Sequence, residues 1–194
     1  MKRQIEKSDI LPYAEYVAVR AERRRAITEL KKLRRVEVGP FATFYFENFA
    51  TMQQQVQEML YIERGGDAQL EDELLAYNPL IPQGRELIAT VMIEIDDPVR
   101  RAGVLARLGG IENSVFLEFA GHTIRGIADP TRENTTADGK ASSVQFIRFP
   151  FAADQIALFK QAGTRVLAGF DHPNYGHIAV MPEAVRAALA EDFD

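Results

Sequence analysis

The sequence predicts an α+β fold: a single domain over residues 1–194, with a mixed or antiparallel sheet of about six strands, a long basic N-terminal helix and a second long amphipathic helix. Three observations lead there. Roughly six helical and six extended runs are mixed along the chain, no internal repeat or linker divides it, and 46% apolar with 26% charged residues is ordinary globular composition.

Ser8 and Asp9 offer caps for the first helix, Pro12 fits a first turn, and good helix formers carry the run to about Arg35. Its apolar positions, among them Tyr13, Tyr16, Leu30 and Leu33, gather at the two ends. Arg20 to Arg25 are left to face solvent or something acidic. Residues 1–38 are therefore expected to form a basic helical arm packed on the body or on a partner subunit. After the extended VEVGP at 36–40, Tyr45, Phe49, Met52, Val56 and Met59 recur at helical spacing and predict the second helix from about Ala42 to Arg64, stopped by Gly65-Gly66. Its opposite face, Glu47, Thr51, Gln54, Glu58 and Tyr61, reads as solvated or subunit-contacting. A third helix runs from Asp67 to Tyr77, where Asn78-Pro79 ends it.

RELIATVMIEI at 85–95 is nearly all apolar and β-branched, which suits a central strand covered on both faces. Asp96 or Asp97, Pro98 and Gly109-Gly110 bracket a helix. SVFLEF and HTIRGI around Ala120-Gly121 read as a hairpin. Residues 129–142 are a polar loop. Strands near 144–149 and 165–170 flank a helix at 153–161, and a short strand after His177 precedes a helix opened by Pro182.

Charge is unevenly distributed. Residues 20–35 hold eight Arg or Lys against two Glu, a net +6, so the rest of this −5 chain carries −11. Pairing of the two parts, within the chain or between copies, is expected. With no cysteine there is no disulfide, thiolate zinc site, cysteine-held iron–sulfur cluster or cysteine nucleophile. The start of the chain lacks the apolar core of a secretory signal and no run is long enough to span a membrane, so a cytoplasmic location is expected. GxSxG, GxGxxG, HExxH and a phosphate loop are all missing; Asn134 stands where the last would need glycine.

FDHPNYGH at 170–177 carries two of the three histidines. Asp171, Pro173, Asn174 and Gly176 are turn formers, so the segment is first a connection. Imidazoles at both ends of a turn could also converge on one ion, with Asp171 as an oxygen ligand and His122 as a third nitrogen if the fold brings it close. His172, His177, His122 and Asp171 are accordingly the candidate metal ligands, for iron, zinc or manganese. Arg85, Arg148 and Tyr175 are the candidate ligand-binding residues.

Taken as blocks, DILPYAEYVAVRAERR, RRVEVGPFATFYFENFATMQQQVQEMLYIER, DELLAYNPLIPQGRELIATVMIEIDDP, GKASSVQFIRF and DHPNYGH make the chain resemble a bacterial family catalogued as domain of unknown function 3501. The resemblance spans nearly the whole chain and implies no reaction. It does imply a setting near rubrerythrin-like and iron–sulfur oxidoreductase proteins, hence a redox partner. The leading expectation is a homo-oligomeric accessory protein in iron-dependent redox metabolism or oxidative-stress defence, binding a metal or that partner. The alternative is an enzyme acting on a small anionic substrate, with His172 or His177 as general base and Arg85 or Arg148 holding a carboxylate or phosphate. A third reading, nucleic-acid binding through residues 20–35, is disfavoured by the overall acidity and the lack of interleaved aromatics.

Overall fold

Proline and aromatic residues decide how the first third of the chain folds. The structure, a computed structural model, describes residues 2–194. Residues 7–9 form an isolated 3-10 turn, and helix α1 (Tyr13–Lys32) starts with Pro12 as its N-cap. This corrects the start expected at Ser8 and Asp9: the proline ring disfavours a helical residue before it, so no helix runs through Leu11. Asp9 closes its own turn instead, accepting from the Glu6 amide at 2.8 Å.

Strands β1 (Arg35–Val38) and β2 (Ala42–Phe46) form a hairpin about Gly39-Pro40. The helix expected from Ala42 is corrected here. ATFYF is aromatic and β-branched, and it pairs on both edges, with β1 and with β3 (Glu86–Ile93). Helix α2 (Phe49–Glu63) starts only after Asn48, whose side chain accepts from the Thr51 amide at 3.0 Å while its own amide donates to Thr51 Oγ1 at 2.9 Å. The helical spacing of Tyr45 and Phe49 is a coincidence across that boundary.

The remaining elements follow the sequence closely. They are α3 (Gly66–Tyr77), α4 (Pro98–Leu105) capped by Asp97, β4 (Val115–Phe119), β5 (His122–Arg125), β6 (Ile127–Ala128), β7 (Val144–Pro150), α5 (Ala153–Lys160), β8 (Val166–His172), β9 (Tyr175–Val180) and α6 (Glu183–Ala190). Ala120 and Gly121, both at positive φ, make the two-residue β4–β5 turn. The α+β class in one domain holds. Among the described residues nine strands form two antiparallel sheets, ordered β1-β2-β3-β7-β6 and β5-β4-β8-β9.

The larger core lies between these sheets. Leu87, Ala89, Val91 and Ile93 of β3 enter it, together with Phe44, Phe149 and Phe170, whose rings lie 5.1–6.3 Å apart around Phe44. Ile88, on the other face of β3, joins Met52, Val56, Leu70 and Leu80 beneath α2 and α3. The central strand is thus covered on both faces, as its unbroken apolar run requires.

The polar face of α2 is not solvated, which corrects the surface reading. Gln54 is buried and donates to the Tyr16 hydroxyl at 2.5 Å. Glu58 accepts from Tyr16 and takes a two-pronged contact from Arg20 at 2.9 and 2.8 Å. Tyr61 stacks on Tyr13 at 5.6 Å with Arg20 4.2 Å above its ring. Burial pushes the Tyr16 phenol up to about 12, with the Glu58 contact adding to it. Burial also pushes the Glu58 carboxyl up, but the Arg20 and Tyr16 hydrogen bonds outweigh it and hold the group below its ordinary 4.5. Of the eight basic residues at 20–35, Arg20, Lys32, Arg34 and Arg35 thus meet carboxylates within 4 Å, with Glu58, Glu29, Asp192 and Glu37 respectively.

A buried ion pair closes the chain on itself. Arg34, just past α1, meets Asp192 and also donates to the Phe46 and Glu47 carbonyls at 2.9 and 3.1 Å. Asp192 is fully buried and its Oδ1 has no hydrogen-bond partner among the described residues; burial pushes its carboxyl up and Arg34 pulls it back only in part. Removing one member strands the other charge. Asp192→Ala is expected to cost about 3–5 kcal/mol, read from the midpoint of guanidinium denaturation. Glu58 gives a second expectation. A depressed carboxyl contributes stability above its unfolded value that is lost as pH falls through its folded one. Glu58→Gln should therefore flatten the stability profile below about pH 4.5, measured as urea midpoints across that range, whereas an unchanged acid limb would remove Glu58 from it.

Candidate functional site

Pro173 and Asn174 are the turn residues of a hairpin. His172 pairs with Tyr175 across them and Phe170 with His177, so FDHPNYGH is the β8–β9 connection. Its tip docks on the end of α4. Asn174 Nδ2 donates to the Arg107 carbonyl at 2.8 Å and His172 Nε2 lies 3.2 Å from the Gly109 carbonyl. The Asn174 amide donates to His172 Nδ1 at 3.2 Å. That bond leaves the ring proton on Nε2, facing Gly109, so both ring nitrogens hold the turn.

Tyr175 is a post within this connection. Its buried hydroxyl donates to the Val38 carbonyl at 2.7 Å and accepts from the Ala42 and Phe41 amides at 3.1 and 3.3 Å, fixing the β1–β2 turn. Burial pushes its phenol up against those two amides. Gly39, at φ +72°, lets the turn pass beneath it: a Cβ there would lie 2.6 Å from the Tyr175 hydroxyl and 2.7 Å from the His177 ring.

These contacts shape a cleft of about 570 Å³ between Pro40-Phe41, the hairpin and α4. Arg100 and Gly103 of α4 and Arg107, two residues past its end, face it, and Asn174, Tyr175 and His177 stand opposite. No carboxylate lines the cleft. Among the described residues neither arginine pairs with one. His177, exposed and packed edge-on against Tyr175 at 4.5 Å, keeps both ring nitrogens free of hydrogen bonds among the described residues. Two guanidinium forks, an imidazole and a side-chain amide form a donor set for a carboxylate or phosphate.

The other candidate residues lie elsewhere. His122 opens β5 opposite Phe119, which pairs with Val166; His172 is six residues further along β8, roughly 20 Å away. Asp171 pairs with Arg125 at 2.5 Å. Arg148 contacts Glu86 at 3.1 Å and the Pro79 carbonyl at 3.2 Å, and exposed Arg85 immediately precedes β3; neither lines the cleft. Among the described residues no three His, Cys, Asp or Glu side chains converge as a metal site would require. Sequence reasoning missed Arg100 and Arg107. Their signal was available: two arginines seven apart with a glycine between them, one in the best-capped helix of the chain and the other just past its end.

A family model described as "Protein of unknown function (DUF3501)" matches residues 4–193. The chain is also similar to the crystal structure of a protein of unknown function from Burkholderia pseudomallei, at 36% identity, with 98% of this chain and 100% of that one covered and a TM-score of 0.91. No curated protein matches it. No helix among the described residues is long and apolar enough to cross a membrane.

Because Gly39 supports the hairpin post and the His177 ring together, Gly39→Ala should destabilise the fold by about 1–3 kcal/mol and displace the His177 ring. Thermal melts and His177 side-chain NMR signals read the two effects. A variant with unchanged values for both would dissolve the link between the turn and the cleft.

Proposed function

The chain belongs to the DUF3501 family, and from its cationic cleft we propose that it binds a small anion, a carboxylate or phosphate, between α4 and the β8–β9 hairpin. One observation carries the reading: two arginines and a histidine, all without a charged partner among the described residues, converge on a cleft free of acidic residues in a chain of net charge −5. Donors held on a capped helix, the turn that follows it and a docked hairpin are preorganised, which lowers the ordering cost of binding. The small-anion alternative read from the sequence keeps its histidine, now His177, and exchanges Arg85 and Arg148 for Arg100 and Arg107.

Binding is the claim. Proton transfer by His177 to or from the bound anion would make the site catalytic, since an imidazole both donates and accepts. The redox-accessory role implied by the family resemblance is a setting in which such a ligand would be handled. Its metal half gains nothing from His172, whose ring nitrogens are both engaged in the turn.

Titration of the protein with inorganic phosphate and with citrate, followed by calorimetry and amide NMR, tests the proposal. Saturable shifts are expected at Arg100, Arg107 and His177. Arg100→Ala or Arg107→Ala should weaken binding about 10–100-fold, the loss of one charge-assisted contact. Binding that survives the double variant unchanged, or no saturable shift for either anion, rejects the cleft as the site.

A further inference from the structure

The outer face of the first sheet holds a separate cavity of about 440 Å³, roofed by α2 and lined by Lys31, Glu47 and the apolar Met52, Leu80, Met92 and Phe146. Its volume is in the range of small-molecule sites, ~300–1,000 Å³. Glu47 is 6% exposed. Its two oxygens accept from hydroxyls, Thr51 Oγ1 at 2.6 Å and Thr90 Oγ1 at 2.7 Å, and among the described residues no cationic side chain lies within 4 Å of it. Arg34 reaches only the Glu47 backbone carbonyl and directs its charge to Asp192. Half-buried Lys31 likewise has no carboxylate partner. Two opposite charges therefore share one cavity wall without meeting.

A carboxylate has room for about four hydrogen bonds, and Thr51 and Thr90 use two. These hydroxyls fix its orientation, and the N-terminus of α2, two residues on, steadies its charge when the cavity is empty. The remaining lone pairs still gain from a cation, because a desolvated charge is costly until it is paired. Lys31 argues against a bare amine as the natural ligand, since its own ammonium would repel one. We infer that this cavity binds a small zwitterion with an apolar body, of the α-amino-acid type: its ammonium on Glu47, its carboxylate towards Lys31 and its side chain among Met52, Leu80, Met92 and Phe146. The site is independent of the cationic cleft.

The test uses L-leucine, L-methionine and L-phenylalanine as probes, with phenethylamine and 3-phenylpropionate as single-charge controls, titrated into the full chain and followed by amide NMR. At least one amino acid should give saturable shifts at Thr51, Thr90 and Phe146. Each single-charge control should bind about tenfold more weakly than L-phenylalanine or worse. Glu47→Gln should abolish amino-acid binding. Lys31→Met, on the half-exposed α1, keeps the test valid if that variant fails to fold, and should reduce L-phenylalanine to the level of phenethylamine. Arg100→Ala should leave all of this unchanged, which separates the inference from the anion cleft. Absence of saturable shifts with all three amino acids overturns it, as does equal binding by Lys31→Met, or phenethylamine binding as tightly as L-phenylalanine.

Discussion

The buried contact between Arg34 and Asp192 sets where the two ends of this fold lie. Arg34 sits where α1 hands over to β1, and its guanidinium also holds the Phe46 and Glu47 carbonyls at the point where β2 gives way to α2. One side chain thus fixes a helix end, a strand end and the segment around residue 192. Arg3 strengthens the closure, donating to the Pro82 and Asp192 carbonyls at 2.9 and 2.7 Å. An ion pair this buried brings little net stability, because both charges are desolvated, and one Asp192 oxygen has no partner among the described residues. Its value here is positional: few other arrangements of these segments would leave Arg34 paired.

A second constraint follows from how the hairpins are pinned. Tyr175 satisfies three backbone groups of the β1–β2 turn, and Asn174 and His172 tie the β8–β9 tip to the end of α4. The two sheets and one helix are therefore locked at a single corner, where the cationic cleft opens. A residue that resembled a ligand is a structural post, and a histidine that resembled a metal ligand is a turn bolt. The side chains left over, Arg100, Arg107 and His177, are those for which the fold has no use. Polar groups without a structural task, gathered on one concavity, are what a binding site consists of.

The polar face of α2 follows the reverse logic. Gln54 and Glu58 resemble surface residues by type, yet Tyr16 and Arg20 of α1 bring complementary hydrogen-bonding groups to them. The basic helix is thereby joined to the acidic body through a network in which nearly every buried polar atom is satisfied. Glu47, one turn before Thr51, differs from Glu58: its oxygens meet hydroxyls but, among the described residues, no cation, and it is the residue that faces a cavity.

By itself the sequence determined the α+β class, the central strand at 85–95, the Asp97–Pro98 helix start, the Ala120-Gly121 hairpin and the turn character of FDHPNYGH. Each depends on short-range chemistry: β-branched runs, caps, and glycine or proline at turns. It misjudged Ala42 to Phe46, because helical spacing and strand propensity competed there and only pairing with β1 and β3 settled the outcome. Tertiary structure alone decided the sites. Arg100 and His177 are 77 positions apart, and no short-range pattern links the helix start that carries one to the hairpin that carries the other. What sets them apart from the other candidates is that the fold turns Arg100 and His177 onto one cleft and leaves Arg85, Arg148 and His122 outside it, and that depends on contacts between segments distant in the chain.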